Sequence, residues 1–504
     1  MTWGVTEKTA PLKPILLGAI KEAILMPQQT NIIYNVEDKP SWGKTFIFAL
    51  QQLLAILAAT IAVPSIINGS FPDANMSAAA ALFGAGAGTL VYLLFTKFKS
   101  PVFLGSSFAF IGSMMAAFAG AVSASVGYIG IILGALFAGL VYVVIALVVK
   151  FVGTKWISRL MPAVVIGPTV AIIGLSLASN AINDLTGGAN DIAAMTGTQW
   201  HCLVVGLITL FTTICFSIFG KKFLKMIPFV IGILTGYIVA AIFTGCGWAI
   251  GDDNIKLIDF TKFQHIEWYP NFAFIKSIEG FKEFHNAGEF FAYFGTIAVA
   301  YVPVAFVVFA EHIADHKNLS SVIGRDLLKE PGLDKTLLGD GVGSMAGAFF
   351  GGCPNTTYGE SVGTVAISGN ASIRTIVLTA IMAMVLSFVG PFSTFLSTIP
   401  ACVMGGVCVA LYGFIAVSGL KMIQKTDLAD NRNLFVVSVI LIVGIGGMVI
   451  NIGGVVKITS VACALILGII VNIVVNIGKK NVAPAAEAIE EEPSIPAEAE
   501  EIKE

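Results

Sequence analysis

Three carboxylates stand inside otherwise apolar stretches in the second half of the chain. They are Glu311 in FAEHIAD, Asp340 in LLGDGVG and Glu360 in TTYGESVG. A carboxylate costs free energy inside a membrane, so these residues are candidates for binding a substrate, a proton or a cation. Asp315 lies one helical turn after Glu311 and therefore on the same face of a helix. The alternative interpretation is that these residues are merely solvated near the cytoplasmic face, namely Glu311, Asp315, Asp340 and the neighbouring His312 and His316.

Glu360 belongs to a polar segment, CPNTTYGESVGT, that spans residues 353–364 between hydrophobic stretches. A second polar and aromatic segment, LGSSFAF, spans residues 104–110; Pro101 stands shortly before it, and Pro354 stands near the start of the first segment. Extended backbone at membrane depth is tolerated only beside a cavity or another chain segment, because its N–H and C=O groups need partners. We therefore expect two short antiparallel strands that face each other and leave some backbone groups for a polar ligand. The alternative is two ordinary helices that pack through small polar residues.

Other kinds of chemistry find little support in the chain. The segment GESVG at 359–363 matches a hydrolase nucleophile pattern, and GDGVG at 339–343 suggests a dinucleotide loop. Each motif requires an α/β context that this chain lacks. The seven cysteines have no metal-ligand spacing and are interpreted as small buried hydrophobic residues. We predict no enzyme activity, no cofactor, no metal and no nucleic-acid partner.

The elements that carry these residues are membrane spans. Of the 504 residues 56% are hydrophobic and only 12% are charged, and the mean hydropathy is +0.87. A 30 Å hydrocarbon core needs about 20 apolar residues per helix. The sequence therefore predicts an all-α polytopic membrane protein with about fourteen spans. They are 44–66, 76–96, 101–121, 124–149, 160–180, 199–219, 226–245, 289–312, 335–352, 354–370, 375–391, 398–419, 433–452 and 458–478.

Basic residues cluster on alternate loops, whereas the opposite short loops carry only Lys457. This asymmetry predicts an even number of spans, with both termini in the cytoplasm and the segment 246–288 outside. The C-terminal tail is rich in Glu, Ala and Pro and is predicted to be disordered.

The two halves of the chain share spaced motifs. MPAVV at 161–165 and IPACV at 399–403 are each followed two residues later by glycine. Lys225 and Lys457 each stand eleven residues before a glycine, but the predicted topology places them on opposite sides of the membrane. We therefore predict an inverted repeat of seven plus seven spans, with the two strands in the broken spans 3 and 10.

Five segments resemble the nucleobase–ascorbate transporter family, and most closely its uracil permease branch. They are DKPSWGKTFIFALQQLLAILAATIAVP, FLGSSFAFIGS, AEHIADHKNL with GRDLLKEPGL, CPNTTYGESVGT and IPACVMGGVCVALYGFIAVSG. The resemblance implies an inner-membrane importer of uracil, coupled to protons, that works by movement of a core domain against a gate domain. It also implies a homodimer formed through the gate.

The same resemblance implies a division of the chain. The expected parts are a cytoplasmic N-terminal segment (1–43), the core's first half (44–150, spans 1–4), the gate's first half (151–245, spans 5–7), an external loop (246–288), the core's second half (289–391, spans 8–11), the gate's second half (392–480, spans 12–14) and the acidic cytoplasmic tail (481–504).

The resemblance also implies roles for individual residues. Glu311 and Glu360 would bind the N–H edges of the pyrimidine, backbone N–H groups near Phe108 and Gly359 would donate to its carbonyls, and Tyr358 would line the pocket. Uracil presents two N–H donors and two carbonyl acceptors, so carboxylates and backbone donors suit it. A site of this kind rejects analogues whose donors and acceptors are misplaced.

Several positions depart from the family pattern. Gln52 and Asp315 stand where the family commonly has His, and Ser361 stands where it has Asn. Asp340 resembles the purine branch instead. Gln52, Asp315 and Asp340 are therefore the candidates for coupling, although Gln52, near the start of the first span, could instead form a structural hydrogen bond across helices. A xanthine or other purine permease and a sodium-coupled carrier remain alternatives. A channel or an anion exchanger of the same architecture is a further alternative, although neither broken span contains Lys or Arg.

Overall fold

The structure, a computed structural model, describes residues 32–189, 192–452 and 456–477. Most of the predicted N-terminal segment and the whole of the predicted acidic tail lie outside these ranges.

Within the described residues, the first half of the chain contains nine α-helices and one strand. They are α1 (Trp42–Ser70), α2 (Ala78–Phe95), β1 (Leu104–Ser106), α3 (Ile111–Ala119), α4 (Ala124–Val152), α5 (Lys155–Leu160), α6 (Ala163–Ser176), α7 (Ala178–Leu185), α8 (Gly197–Phe219) and α9 (Pro228–Ile250).

The described part of the second half contains the remaining α-helices and strands. They are α10 (Ala273–Gly280), α11 (Ala287–Ile323), α12 (Leu333–Gly351), β2 (Asn355–Thr357), α13 (Gly359–Ser368), α14 (Ile373–Leu386), α15 (Gly390–Thr398), α16 (Ala401–Ile423), α17 (Asn431–Ile445), β3 (Ile450–Ile452), β4 (Val456–Ile458) and α18 (Ser460–Val475).

Within the described residues, eight helical segments are long and apolar enough to cross a membrane, with α6 and α7 counted as one. A ninth is added if α14 and α15, which meet at a bend of 83°, form one broken span. The predicted polytopic, mainly helical membrane protein is therefore confirmed. The count of fourteen, the seven-plus-seven repeat and the division into core and gate stay predictions.

The two predicted strands are present and pair antiparallel. The register is Leu104 with Thr357, Gly105 with Thr356 and Ser106 with Asn355. All six residues are buried, so the backbone groups that would otherwise be unpaired at this depth find partners in each other. The alternative of two ordinary continuous helices is therefore wrong.

Glycines bring α2 and α12 close together behind the strands. A Cβ atom at Gly84 would lie 2.6 Å from the carbonyl oxygen of Gly347, and one at Gly347 would lie 2.3 Å from Cγ of Asn355. The Asn355 amide occupies this slot and donates to the Gly84 carbonyl oxygen at 2.9 Å. The small residues on both helices thus leave room for β2 and fix its position.

Two details of the sequence prediction are wrong. The span predicted at 433–452 ends as a helix at Ile445, and a second antiparallel pair, β3 with β4, follows it. The cysteines are not all buried, since Cys215 and Cys246 are exposed on the helix surfaces. Cysteine is tolerated on a surface that faces lipid because it behaves as a small apolar side chain.

Candidate functional site

A cavity of about 330 Å³ lies beside the strand pair. Six of the eight predicted site residues line it, namely Phe108, Glu311, Asp315, Tyr358, Gly359 and Glu360. The two others, Gln52 and Asp340, do not line it. The volume lies at the lower end of the range for sites that bind small molecules.

Glu360 reaches the cavity from the beginning of α13, which starts directly after β2. It is the second residue of that helix, where the partial positive charge of the helix terminus stabilises a carboxylate. No side chain caps α13, and the first N–H groups of a helix have no intrahelical acceptor. This terminus therefore offers a carboxylate acceptor and backbone donors within one turn.

Glu311 and Asp315 enter the same cavity from α11, as their spacing of four residues predicts. Oε2 of Glu311 is buried and has no hydrogen-bond partner among the described residues. Oδ2 of Asp315 accepts a hydrogen bond of 2.7 Å from the hydroxyl group of Thr357 on β2. Glu311 thus has a free acceptor, whereas Asp315 connects α11 to the strand.

The interpretation of Asp315 and the neighbouring histidines as solvated residues is wrong. Asp315 is 8% exposed, and both His312 and His316 are 0% exposed. Helix α11 runs 37 residues, to Ile323, so this turn lies well inside the helix rather than at its end.

Tyr358 links the two strands and closes one side of the cavity. Its hydroxyl group donates to the Ser106 carbonyl oxygen at 3.0 Å, and its ring lies over Gly105. A Cβ atom at Gly105 would lie 2.2 Å from the Tyr358 ring, so only glycine fits there. The ring of Phe108, which also lines the cavity, meets Tyr412 edge-to-face with centroids 5.6 Å apart.

Gln52 lies behind the strands and contacts another residue that departs from the family pattern. Its Nε2 atom donates to Oγ of Ser361 at 2.6 Å. The same Ser361 oxygen accepts from the backbone N–H of Phe103 at 3.2 Å. These two bonds hold the beginning of α13 against α1 and against the approach to β1. Gln52 therefore positions Glu360 through its neighbour.

Asp340 lies in a separate buried network between α11 and α12. Its Oδ2 atom shares a hydrogen bond of 2.7 Å with Nδ1 of His312, whose Nε2 atom contacts the Thr336 hydroxyl at 3.0 Å. Asp340 and His312 are both 0% exposed. Sequence reasoning proposed Asp340 but missed its partner, although a histidine and a carboxylate in adjacent buried spans were a visible signal.

The network continues through His316. Nδ1 of this residue donates to the carbonyl oxygen of His312 at 2.8 Å, because a carbonyl oxygen can only accept. Nε2 shares a hydrogen bond of 2.8 Å with the Tyr92 hydroxyl group, which also contacts Oγ of Ser100 at 2.7 Å. A continuous chain of polar groups therefore runs from Asp340 on α12 to the segment before β1.

Sequence reasoning also missed several other residues that line the cavity. Ser217, Lys225, Asn318 and Ser418 line it, together with apolar residues of α6, α9 and α16. Lys225 is an exposed basic residue outside both broken spans, so inspection of those spans alone could not find it. The cavity lining thus combines the carboxylates beside the strands with neutral polar groups and one basic side chain.

Comparison of the amino-acid sequence with known proteins identifies the family of this chain. The profile of the Permease family matches residues 43–453. The chain belongs to this family. The uracil permease of Bacillus subtilis (strain 168) is 37% identical over 456 residues, which cover 90% of this chain and 97% of the relative. The uracil permease of Escherichia coli (strain K12) is 32% identical over 440 residues, covering 86% of this chain and 92% of the relative.

Solved structures show the same fold at low sequence identity. The transmembrane domain of the cyanobacterial bicarbonate transporter BicA matches with a TM-score of 0.57 at 14% identity, over 85% of this chain and 98% of that chain. The murine anion transporter Slc26a9 in its inward-facing state also matches with a TM-score of 0.57, at 13% identity, over 94% of this chain and 73% of that chain.

Family membership confirms the resemblance that the sequence motifs indicated. The protein is a transporter and not an enzyme, and its apolar helices make it an integral membrane protein.

Proposed function

We propose that the protein imports uracil across a bacterial cytoplasmic membrane by proton symport, with the base bound in the cavity beside β1 and β2. The observation that carries this proposal is the convergence of Glu311, Glu360 and the uncapped start of α13 on one cavity. The relatives that cover almost the whole chain are uracil permeases, which supports the same substrate.

The groups at the cavity complement those of the base. Uracil presents two N–H donors, and the carboxylates of Glu311 and Glu360 are acceptors. A buried acceptor without a partner costs about 1–3 kcal/mol, and Oε2 of Glu311 is such an acceptor until a ligand donates to it. The backbone N–H groups at the start of α13 then donate to a uracil carbonyl group, and Phe108 and Tyr358 cover the ring.

The position of the cavity supports alternating access by relative movement of two domains. One wall comes from the predicted core, through β2, α11 and α13. The other comes from the predicted gate, through Val170 on α6, Phe229 on α9 and Phe414 on α16. A site between two such groups opens to either side when they move against each other. The fourteen spans of the inverted repeat, the cytoplasmic termini and a gate-mediated homodimer are part of this proposal.

The carboxylates also supply groups for coupling. Asp315 accepts a hydrogen bond from Thr357 on β2 and lines the cavity in which uracil is proposed to bind. Asp340 shares a hydrogen bond with His312 away from the cavity. Each of these two carboxylates can take up a proton. The location of Asp340 outside the cavity favours uracil over a purine, because the residue that resembles the purine branch does not reach the base.

Uptake into proteoliposomes tests the proposal. Radiolabelled uracil is offered with an inward proton gradient, an inward sodium gradient or no gradient, and excess unlabelled xanthine is added in parallel. We expect accumulation that requires the proton gradient, resists xanthine and is lost in Glu311→Gln and Glu360→Gln. Glu279→Gln, an exposed carboxylate on α10, is the matched control and should transport normally.

Each other outcome has a defined meaning. Accumulation driven only by sodium contradicts proton symport, and inhibition by xanthine contradicts the choice of base. No uracil accumulation under any gradient contradicts the proposal as a whole.

A further inference from the structure

Two helices, α8 and α16, cross unusually closely at a point away from the residues that line the cavity. Helices α8 and α16 each carry a Cys-x-x-x-Gly motif in the N-terminal half, CLVVG at 202–206 and CVMGG at 402–406. A Cβ atom at Gly206 would lie 2.8 Å from the Cys402 carbonyl oxygen, and one at Gly406 would lie 2.3 Å from the Gly206 carbonyl oxygen. The two backbones are therefore in direct contact, which is closer than the 8–10 Å axial separation typical of packed helices allows.

The crossing brings two thiol groups together. Cys202 lies one turn before Gly206, Cys402 lies one turn before Gly406, and the two thiols lie within interaction distance of each other. A disulfide needs Cα atoms about 4.4–6.8 Å apart and Cβ atoms that face each other. The glycine contact brings the two backbones together one turn from these cysteines, which favours such a bond.

The environments of the two cysteines differ in a way that suits stepwise oxidation. Cys202 is partly exposed and lies under the loop that follows α7, where a Cβ atom at Gly187 would come within 3.2 Å of its Sγ atom. Cys402 is only 2% exposed. The other buried cysteines have different neighbours, such as the Ile458 carbonyl oxygen for Cys463.

We propose that Cys202 and Cys402 form a redox-modification site, at which a low-molecular-weight disulfide converts the two thiols into a reversible cross-link between α8 and α16. The Cys202 thiolate attacks the small disulfide, forms a mixed disulfide and releases one small thiol. Cys402 then attacks the Cys202 sulfur and releases the second small thiol. The protein loses two protons and two electrons, and the reagent gains them as two thiols.

The cross-link has a structural consequence for the transporter. Helix α16 continues from Cys402 to Phe414, Ile415 and Ser418, which line the substrate cavity. A covalent bond at its beginning fixes this wall of the cavity against α8. The site is independent of the proposed substrate, so its test does not depend on uracil transport.

The test uses the purified full-length protein in detergent, with the exposed Cys215 and Cys246 changed to serine. It is treated with 4,4′-dithiodipyridine, which releases a coloured thiopyridone each time a thiol displaces it. We expect roughly two thiopyridones for each protein molecule that reacts at this site. The protein mass should fall by two hydrogen atoms without a pyridyl adduct, and digestion should give one peptide pair joined through Cys202 and Cys402. Dithiothreitol should reverse the change.

Two variants in the same background identify the partners. Cys402→Ser should release a single thiopyridone and keep a stable pyridyl adduct on Cys202, whereas Cys202→Ser should lose the reaction at this site. The proposal is overturned if the protein with both cysteines keeps the adduct on Cys202, if Cys202 is joined to another cysteine, or if neither thiol reacts.

Discussion

The contact between Gln52 and Ser361 predicts a measurable coupling between two residues that do not line the cavity. Ser361 Oγ accepts buried hydrogen bonds from Gln52 Nε2 at 2.6 Å and from the Phe103 N–H at 3.2 Å. Removal of either side chain frees the start of α13 and hence displaces Glu360. A displaced charge-assisted hydrogen bond costs about 1.5–3 kcal/mol, so each variant should weaken uracil binding by at least about tenfold.

A double-mutant cycle tests this reasoning. The dissociation constant for uracil is measured by calorimetry for the wild type, Gln52→Ala, Ser361→Ala and the double variant. Because both substitutions remove the same contact, we expect the double variant to bind about as weakly as either single variant, with a coupling of about 1.5–3 kcal/mol. Ser65→Ala on the same helix removes only a bond to the Ile61 carbonyl oxygen and is the control.

The residues usual in the family give a complementary test. Gln52→His combined with Ser361→Asn should bind more tightly than either single substitution, because the two positions form one contact. The reasoning is refuted if the losses of the two alanine variants multiply to about a hundredfold, or if the single variants bind uracil as the wild type does.

Three further predictions concern the strands and the buried network. Gly105→Ala should lower the free energy of unfolding by about 1–3 kcal/mol, because the new methyl group overlaps the Tyr358 ring; a melting temperature equal to the wild type's would contradict this. Thr357→Val should slow uracil uptake by about tenfold because the Asp315 carboxylate loses its hydrogen-bond donor, whereas Thr357→Ser should take up uracil as the wild type does. Equal uptake rates of the Thr357→Val and Thr357→Ser variants would contradict this. Asp340→Asn should change the dissociation constant for uracil by less than about tenfold while it abolishes concentrative uptake, since Asp340 lies outside the cavity; intact uptake would argue against a role in coupling.

Much of the candidate site could be predicted because membrane spans make polar residues conspicuous. Glu311 and Glu360 stood out as carboxylates in apolar segments, and the prolines and polar runs before β1 and β2 indicated broken spans. Helical spacing also placed Asp315 on the same face as Glu311, and both line the cavity.

The buried network could not be predicted from the same pattern. Each residue turns a helix by about 100°, so His312 points away from the cavity that its neighbour Glu311 reaches. Only the packing of α11 on α12 shows that His312 meets Asp340. Gln52 was considered for coupling because it departs from the family pattern, and also for a structural bond across helices. Its partner Ser361 could not be predicted, because that contact depends on the position of β1 and α13 beside α1.

The far wall of the cavity was missed for a different reason. Lys225 and the apolar residues of α6, α9 and α16 belong to ordinary helices or their connections, without a polar motif that marks them. Their place beside the carboxylates follows from the packing of distant segments. The hairpin of β3 and β4 was missed because its apolar residues continued the pattern of the preceding span.

Equilibrium binding of uracil tests the central claim most directly, since it requires no gradient and no movement of domains. The dissociation constant is measured for the purified wild type, Glu311→Gln, Glu360→Gln and the exposed control Glu279→Gln. An amide places a donor where a carboxylate accepted a charge-assisted bond, so Glu311→Gln and Glu360→Gln should each bind at least about tenfold more weakly, while the control binds normally. Wild-type affinity in both Glu311→Gln and Glu360→Gln would show that uracil does not bind at these carboxylates.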